Sequence, residues 1–259
     1  MRRLLMVVAI ASRLVIAVTP VRAFDFAACT SAPNSSDHPT WHVYRNSFLY
    51  LQAIGQIVIR DVVGCTNPVG GEDSFSAIFP ANMQDSDCNP FTQIGYGSVN
   101  ASIDTFWASV DGDSIGCGDV SSMSLGFGPA IGHLDRFEIF PYYSGQSWWE
   151  MRVTDVTINN YGYRLVPRND SSTTEVWYGI ETHNYHDQFG GNSSTNIARL
   201  QYLGYKYSGG PTAYTYLTGT GQAAWANAPV GNIPLCWVES ISTITTDLYT
   251  SLNGYTGDC

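Results

Sequence analysis

The chain has 259 residues, of which 44% are hydrophobic and only 13% are charged, and its formal net charge is −10. Nucleic-acid binding is excluded, because phosphate recognition needs clustered lysine and arginine and Lys206 is the one lysine in the sequence. Adhesion to anionic membrane surfaces is disfavoured for the same reason. No stretch after residue 23 is apolar enough to span a bilayer. Low charge combined with abundant Ser, Thr, Asn, Gly and Tyr is typical of extracellular β-rich proteins.

The first predicted element is a cleaved secretion signal over residues 1–23. It has a basic start, an apolar stretch and a small residue, Ala23, at the cleavage position. A membrane anchor is the alternative, but a spanning helix needs about 20 apolar residues and Arg13 interrupts the run. We therefore predict a secreted, extracellular protein in which residues 24–259 form a single β-rich domain. Signal removal leaves eight basic and 22 acidic residues, a net charge of −14.

Alternation of apolar and polar residues, rich in Val, Ile, Thr, Tyr and Trp, predicts a series of strands. The first covers residues 48–63, as one long strand or as a hairpin kinked near Gly55. Further strands are predicted over residues 103–110, 148–158, 163–166, 175–183, 197–207, 214–218 and 235–241. This spacing indicates an all-β, mainly antiparallel fold that is a β-sandwich or jelly-roll-like, not a series of βαβ units.

The last predicted element is one short C-terminal helix. Ile241, Ile244, Leu248 and Leu252 recur at helical spacing, and a following Asn-Gly pair closes the segment. The threonines in this stretch oppose the helix, because threonine has poor helix propensity. The helix therefore stays an open alternative within an otherwise all-β prediction.

The cysteines and the Asn-x-Ser/Thr triplets are interpreted through the predicted secretion. An oxidising compartment favours disulfides, and no pair has the short spacing of a zinc site. We expect sequential pairing, with other connectivities left open: Cys29–Cys65, Cys88–Cys117 and Cys236–Cys259. Glycan acceptor sites are predicted at Asn34, Asn100, Asn169 and Asn192.

Two polar clusters are candidate metal sites. The first is an oxygen-rich loop that suits calcium, although it lacks the spacing of an EF-hand. The second lies on one face of a predicted strand, where a carboxylate and an imidazole could bind a metal or act as an acid–base pair. The candidate ligands are Asp111, Asp113 and Asp119 in the first cluster and His183 and Asp187 in the second. His133 with Asp135 is a weaker third candidate. The alternative for each is a solvated turn or strand end, so no cofactor is predicted apart from calcium as an alternative.

Glu150 is the preferred candidate for a catalytic carboxylate, because Trp148 shares its strand face and Trp149 adjoins it. Glycoside hydrolysis needs a second carboxylate, for which Glu181 is the candidate. The other glutamates in or beside predicted strands are Glu138, Glu175 and Glu239. Sugar rings stack on exposed aromatic rings, and the predicted carbohydrate-binding residues are Trp148, Trp149, Tyr205 and Tyr207. The alternative is that one tryptophan packs in the core and the other caps a sheet edge.

No nucleophile elbow, P-loop or dinucleotide-binding motif is present. Three segments resemble parts of pepsin-like proteases, GYGSVNASIDTFWASVDG, SLGFGP and WWEMRVTDVTI, but the Asp-Thr/Ser-Gly triplets of that family are absent, which excludes it. The sequence therefore favours a non-enzymatic, self-assembling subunit of an extracellular coat, fibre or matrix. Its partners would be further copies, other extracellular proteins or glycans. A lectin-like carbohydrate-binding protein and a secreted β-sandwich polysaccharide hydrolase are the alternatives.

Overall fold

A computed structural model describes residues 40–60, 62–63, 75–84, 91–99, 102–110, 121–125, 129–143, 148–167, 172–182, 188–189, 198–217, 222–226, 237–241 and 245–250. These residues form strands and turns and contain no helix. The strands are β1 (Thr40–Arg45), β2 (Tyr50–Val58), β3 (Val62–Val63), β4 (Phe75–Gln84), β5 (Phe91–Val99), β6 (Ser102–Val110), β7 (Ser121–Ser124), β8 (Leu134–Pro141), β9 (Trp148–Asp155), β10 (Asn160–Pro167), β11 (Glu175–Thr182), β12 (Gln188–Phe189), β13 (Ala198–Tyr207), β14 (Thr215–Tyr216), β15 (Gln222–Ala226), β16 (Trp237–Ile241) and β17 (Thr245–Thr250).

The strands form two large antiparallel sheets that pack as a sandwich. The seven-stranded sheet has the order β15-β1-β11-β4-β5-β6-β7. The eight-stranded sheet has the order β10-β9-β8-β2-β13-β17-β16, with β14 added beside β13. A small third sheet pairs β12 with β3. The predicted all-β, sandwich-like architecture is confirmed.

The core lies between the two large sheets, and regular strands such as β8 and β9 contribute every second residue to it. On β8 and β9 the inward residues include Phe137, Ile139 and Met151, all fully buried. Across the sandwich, the ring of Tyr96 on β5 stacks on that of Phe137 with centroids 6.2 Å apart. Polar residues alternate with these on the outward faces, which is the pattern that the strand prediction used.

A buried side-chain hydrogen bond joins the two sheets through the core. The Tyr178 hydroxyl on β11 donates to the Gly204 carbonyl on β13 at 2.7 Å. Tyr178→Phe should lower the free energy of unfolding by about 1–2 kcal/mol, because a buried carbonyl loses its donor. Urea unfolding measures the change. Tyr163→Phe, at a position 44% exposed, is the matched control and should leave stability unchanged. Equal stability of both variants would contradict this assignment.

A β-bulge in β4 sets which of its side chains face outward. From Ile78 to Ala81 the strand advances three residues while β5 advances two, and β11 shows the same shift. The extra residue shifts the alternation, so Ile78 and Ala81 both lie in the core while Asn82 and Gln84 lie on the outward face.

Two glycines make room for this bulge. A Cβ on Gly55 would stand 2.0 Å from the Pro80 carbonyl oxygen, and one on Gly95 would stand 2.1 Å from that of Ile78. Gly55 lies inside the continuous strand β2, and its missing side chain permits close approach of the opposite sheet. Of the two alternatives for residues 48–63, the continuous strand is correct for residues 50–58, and a hairpin kinked near Gly55 is wrong.

The predicted C-terminal helix is wrong. Residues Thr245–Thr250 form strand β17, which pairs with β13 on one side and β16 on the other. The β-branched threonines favour this extended conformation, and pairing on both sides outweighs the helical spacing of the apolar residues.

Several predictions fall outside the described residues. They are the signal over residues 1–23, the cysteines Cys29, Cys65, Cys88, Cys117, Cys236 and Cys259, and the acceptors Asn34, Asn100, Asn169 and Asn192. In the part of the chain that the structure describes, no helix is long and apolar enough to cross a bilayer.

Candidate functional site

A group of polar side chains lies on the outward face of the seven-stranded sheet. We call it the polar face, and it consists of Asn82, Gln84, Gln93, Glu175 and Trp177. The register pairs Glu175 with Gln84, and one step along the strands it pairs Trp177 with Asn82 and Asn82 with Gln93. Three neighbouring strands thus contribute two adjacent rows of side chains to one surface.

Gln84 is held at both ends of its amide. Its Nε2 donates to Glu175 Oε1 at 3.0 Å, and its Oε1 accepts from the Trp177 indole Nε1 at 2.7 Å. Because indole nitrogen is a donor only, this bond fixes which end of the amide faces the carboxyl group. Trp177 is itself buried and meets the Phe79 ring edge-on at 5.8 Å. The indole therefore orients the amide, and the amide orients the carboxyl.

The pKa of Glu175 is raised above its ordinary value of 4.5. Burial is the larger cause, because a half-buried carboxylate is poorly solvated, and the hydrogen bond from Gln84 opposes it. The backbone at Glu175 is also fixed, since the Thr173 hydroxyl donates to its carbonyl at 3.1 Å and Thr173 bonds to Tyr50. A fixed carboxyl with a raised pKa beside an oriented amide suits proton transfer to and from a bound molecule.

The second row continues the polar face away from the carboxyl group. Asn82 is fully buried, and its Nδ2 donates to Gln93 Oε1 at 3.1 Å. Its own Oδ1 has no hydrogen-bond partner in the described part of the protein. Burial of two side-chain amides is costly unless they are hydrogen-bonded, and here the two amides bond to each other.

The sequence-preferred carboxylate, Glu150, lies elsewhere. It faces outward from the eight-stranded sheet, where Arg152 Nε donates to it at 2.7 Å. The strand that carries Glu181 belongs to the seven-stranded sheet, so the predicted Glu150–Glu181 pair is split between two sheets. An ion-paired carboxylate without its predicted partner does not have the geometry expected for glycoside hydrolysis.

The predicted carbohydrate-binding residues are not brought together. Trp148 is 43% exposed on the outward face, whereas Trp149 is 2% exposed and packs in the core. Tyr205 is also buried in the core, and Tyr207 packs against it. The structure therefore places Trp149 in the core and leaves Trp148 exposed on β9, which is an internal strand of its sheet.

The two main metal clusters, with Asp111, Asp113, Asp119, His183 and Asp187, fall outside the described residues. His133 and Asp135 are described, and His133 contacts Asp155 at 2.6 Å. Among the residues that the structure describes, no group of three or more His, Cys, Asp or Glu is arranged to hold a metal ion.

No protein-family model matches the sequence, and no curated protein matches it either. A solved structure of scytalido-glutamic peptidase with a transition-state analogue inhibitor does match, with a TM-score of 0.50 and 10% identity over 84% of this chain and 100% of that one. The fold is shared with a peptidase. A second scytalido-glutamic peptidase structure and SCP-B, of the eqolisin family, have TM-scores of 0.47 and 0.45 at the same identity and coverage.

The neighbour with a TM-score of 0.50 corrects the functional prediction made from the sequence. The expected non-enzymatic subunit of a coat, fibre or matrix is wrong, since that neighbour is a peptidase. Self-assembly is therefore also rejected as the function, and the lectin-like and polysaccharide-hydrolase alternatives are not retained. That prediction depends on the absence of a recognised catalytic motif. A search for motifs does not detect a site whose residues come from strands far apart in sequence.

Proposed function

We propose that the protein is a peptidase in which Glu175 is the catalytic general base and acid. The observation that carries the proposal is the Trp177–Gln84–Glu175 chain of hydrogen bonds on the polar face. It fixes a carboxyl group whose pKa is raised, as proton transfer near the pH of the reaction requires. The fold shared with scytalido-glutamic peptidase supports a glutamate in this role.

In the proposed reaction, ionised Glu175 removes a proton from a water molecule, whose oxygen attacks the carbonyl carbon of a peptide bond. The carbonyl oxygen becomes an oxyanion, and we assign an N–H of the Gln84 amide as a donor to it. Collapse of the tetrahedral intermediate breaks the C–N bond, and Glu175 returns its proton to the leaving amine. The carboxyl therefore ends as it began, and one water is consumed.

The outward position of the polar face fits an extended polypeptide as substrate. Glu175 and Gln84 are the half-buried members of this face, so we place the substrate against them, because Asn82 and Gln93 are buried and bonded to each other. We place the protein outside the cell, in keeping with the signal predicted over residues 1–23.

The experiment is to incubate the purified secreted protein with a proteome-derived peptide library between pH 3 and pH 7 and to identify new termini by mass spectrometry. The proposal expects cleavage at a limited set of bonds. No cleavage at any pH by protein that is folded by circular dichroism would refute it.

Gln84→Leu should shift the pH dependence of cleavage as well as slow it. The hydrogen bond from Gln84 lowers the pKa of Glu175, so its loss raises that pKa further. Because the general base must be ionised, the acid limb of the kcat/KM profile should move to higher pH. Loss of the oxyanion donor should lower the plateau by about 10²-fold. An unshifted acid limb would show that Gln84 does not act on Glu175.

A further inference from the structure

A second buried acidic pair lies in the other sheet, away from the polar face. Asp135 on β8 and Asp155 on β9 are register partners, and both point into the core among residues such as Phe137 and Val153. Asp135 is fully buried and Asp155 is 2% exposed. Two carboxyl groups side by side in an apolar core cannot both be ionised without a large penalty.

The two carboxyl groups have very different partners. Asp155 Oδ2 lies 2.6 Å from His133 Nδ1, and its Oδ1 accepts from the Thr157 and Ile158 amides at 2.9 and 3.2 Å. Burial alone raises the pKa of Asp155, but these hydrogen bonds lower it on balance. Both oxygens of Asp135, by contrast, lack a hydrogen-bond partner within the described residues. The pair is therefore asymmetric, with the negative charge on Asp155 and the proton on Asp135.

The groups that face Asp135 do not offer a compensating cation. His133, 31% exposed at its side chain, is already paired with Asp155. From β2 the register partner is Ile57, and from β4 the core residues are apolar. The core polar groups of β5 are Thr92 and Tyr96, and the Tyr96 hydroxyl accepts from the Arg60 amide at 3.2 Å. The charged side chain Arg136 lies on the opposite face of β8.

Directly beside this pair, backbone hydrogen bonds join the residue after β2 to the turn before β8, and join the start of β8 to the turn after β9. We call them the end clasp: Gly132 N to Ile59 O, Ile59 N to His133 O, and Val156 N to Leu134 O, each 2.8 Å. Gly132, His133 and Leu134 lie just before Asp135 in the chain, Val156 follows Asp155, and Ile59 follows β2. Repulsion between the two carboxylates would therefore act on these hydrogen bonds first.

We propose that the Asp135–Asp155 pair is a proton-dependent latch, which holds the end clasp closed while Asp135 is protonated and opens it when that proton is lost. Burial, and then the neighbouring Asp155, raise the pKa of Asp135 from 3.8 to about 7, with His133 opposing. Folding thus favours the protonated form. The contribution of Asp135 to stability is greatest in acid and falls as pH rises from about 4 to about 7, because the unfolded chain releases this proton first.

The test compares the full secreted chain with Asp135→Asn, which keeps the shape and removes the charge. From pH 4 to pH 7 the unfolding equilibrium constant of the wild type should gain about 300-fold relative to that of Asp135→Asn. Protection of the Gly132 and Val156 amides from hydrogen exchange should fall over the same range in the wild type and stay constant in the variant. Glu138→Gln, on the outward face of the same strand, is the control and should behave as the wild type.

Parallel pH profiles for wild type and Asp135→Asn would overturn the latch. If Asp135→Asn does not fold, the carboxyl carbon of Asp135 is titrated by NMR in the wild type. A titration midpoint above about pH 5.5 supports the proposal, and a midpoint below it refutes the proposal. These measurements need no substrate, so their outcome is separate from that of the proposed peptidase activity.

Discussion

Glu175→Gln should lower kcat/KM for peptide cleavage by about 10²–10⁴-fold, the usual contribution of a general base. Glutamine keeps the size of the side chain and an oxygen that can accept from Gln84, so the hydrogen-bonded chain to Trp177 is expected to persist. It cannot accept a proton from water. The loss should therefore appear in kcat, with little change in the free energy of unfolding.

Two matched substitutions separate this role from a general effect of removing a carboxylate. Glu138→Gln removes a glutamate that is paired with Arg136 on the other sheet, and Glu150→Gln removes the glutamate that the sequence favoured. Both variants should cleave peptides as the wild type does. Undiminished cleavage by Glu175→Gln would contradict the assignment, and loss of cleavage in Glu150→Gln would return the active site to the eight-stranded sheet.

Local alternation predicted many of the strands because it depends only on neighbouring residues. The predicted strand over residues 103–110 corresponds to β6, and that over 197–207 corresponds to β13, each within one residue at either end. The same reasoning missed β4, whose sequence FSAIFPANMQ does not alternate across its bulge. It also predicted the C-terminal helix, because the spacing of apolar residues contains no information about β13 and β16, which flank this segment in the sheet.

The candidate site was harder to predict from the sequence than the fold was. Glu175 was one of five glutamates beside predicted strands, and the adjacent tryptophans favoured Glu150 instead. What distinguishes Glu175 is Gln84, which lies 91 positions earlier in the chain and meets it only through pairing of β4 with β11. No periodicity within one strand contains that information. The face on which Gln84 lies also depends on the bulge, which the sequence pattern does not reveal.

Gly55 affects both the fold and the site, because it makes room for the β4 bulge that determines on which face Gln84 lies. Gly55→Ala should lower the free energy of unfolding by about 3 kcal/mol, the upper end for an overpacked core position. The new Cβ would stand 2.0 Å from the Pro80 carbonyl oxygen, which is backbone and cannot rotate away. The bulge in β4 must move, and Gln84 lies four residues beyond Pro80 on the same strand. Urea unfolding measures the stability change, and kcat/KM of the folded variant should fall as well.

Gly204→Ala is the matched control, because it adds the same methyl group to β13 in the same sheet. Its Cβ would meet the Tyr216 ring at 2.9 Å and Ile54 Cγ2 at 3.2 Å, which are side-chain atoms and not backbone, and Tyr216 is 41% exposed. Its stability should stay within about 1 kcal/mol of the wild type, with cleavage unchanged. If Gly55→Ala matched this control in both measurements, β4 would be able to shift without moving Gln84. The polar face would then not depend on close approach of the two sheets at Pro80.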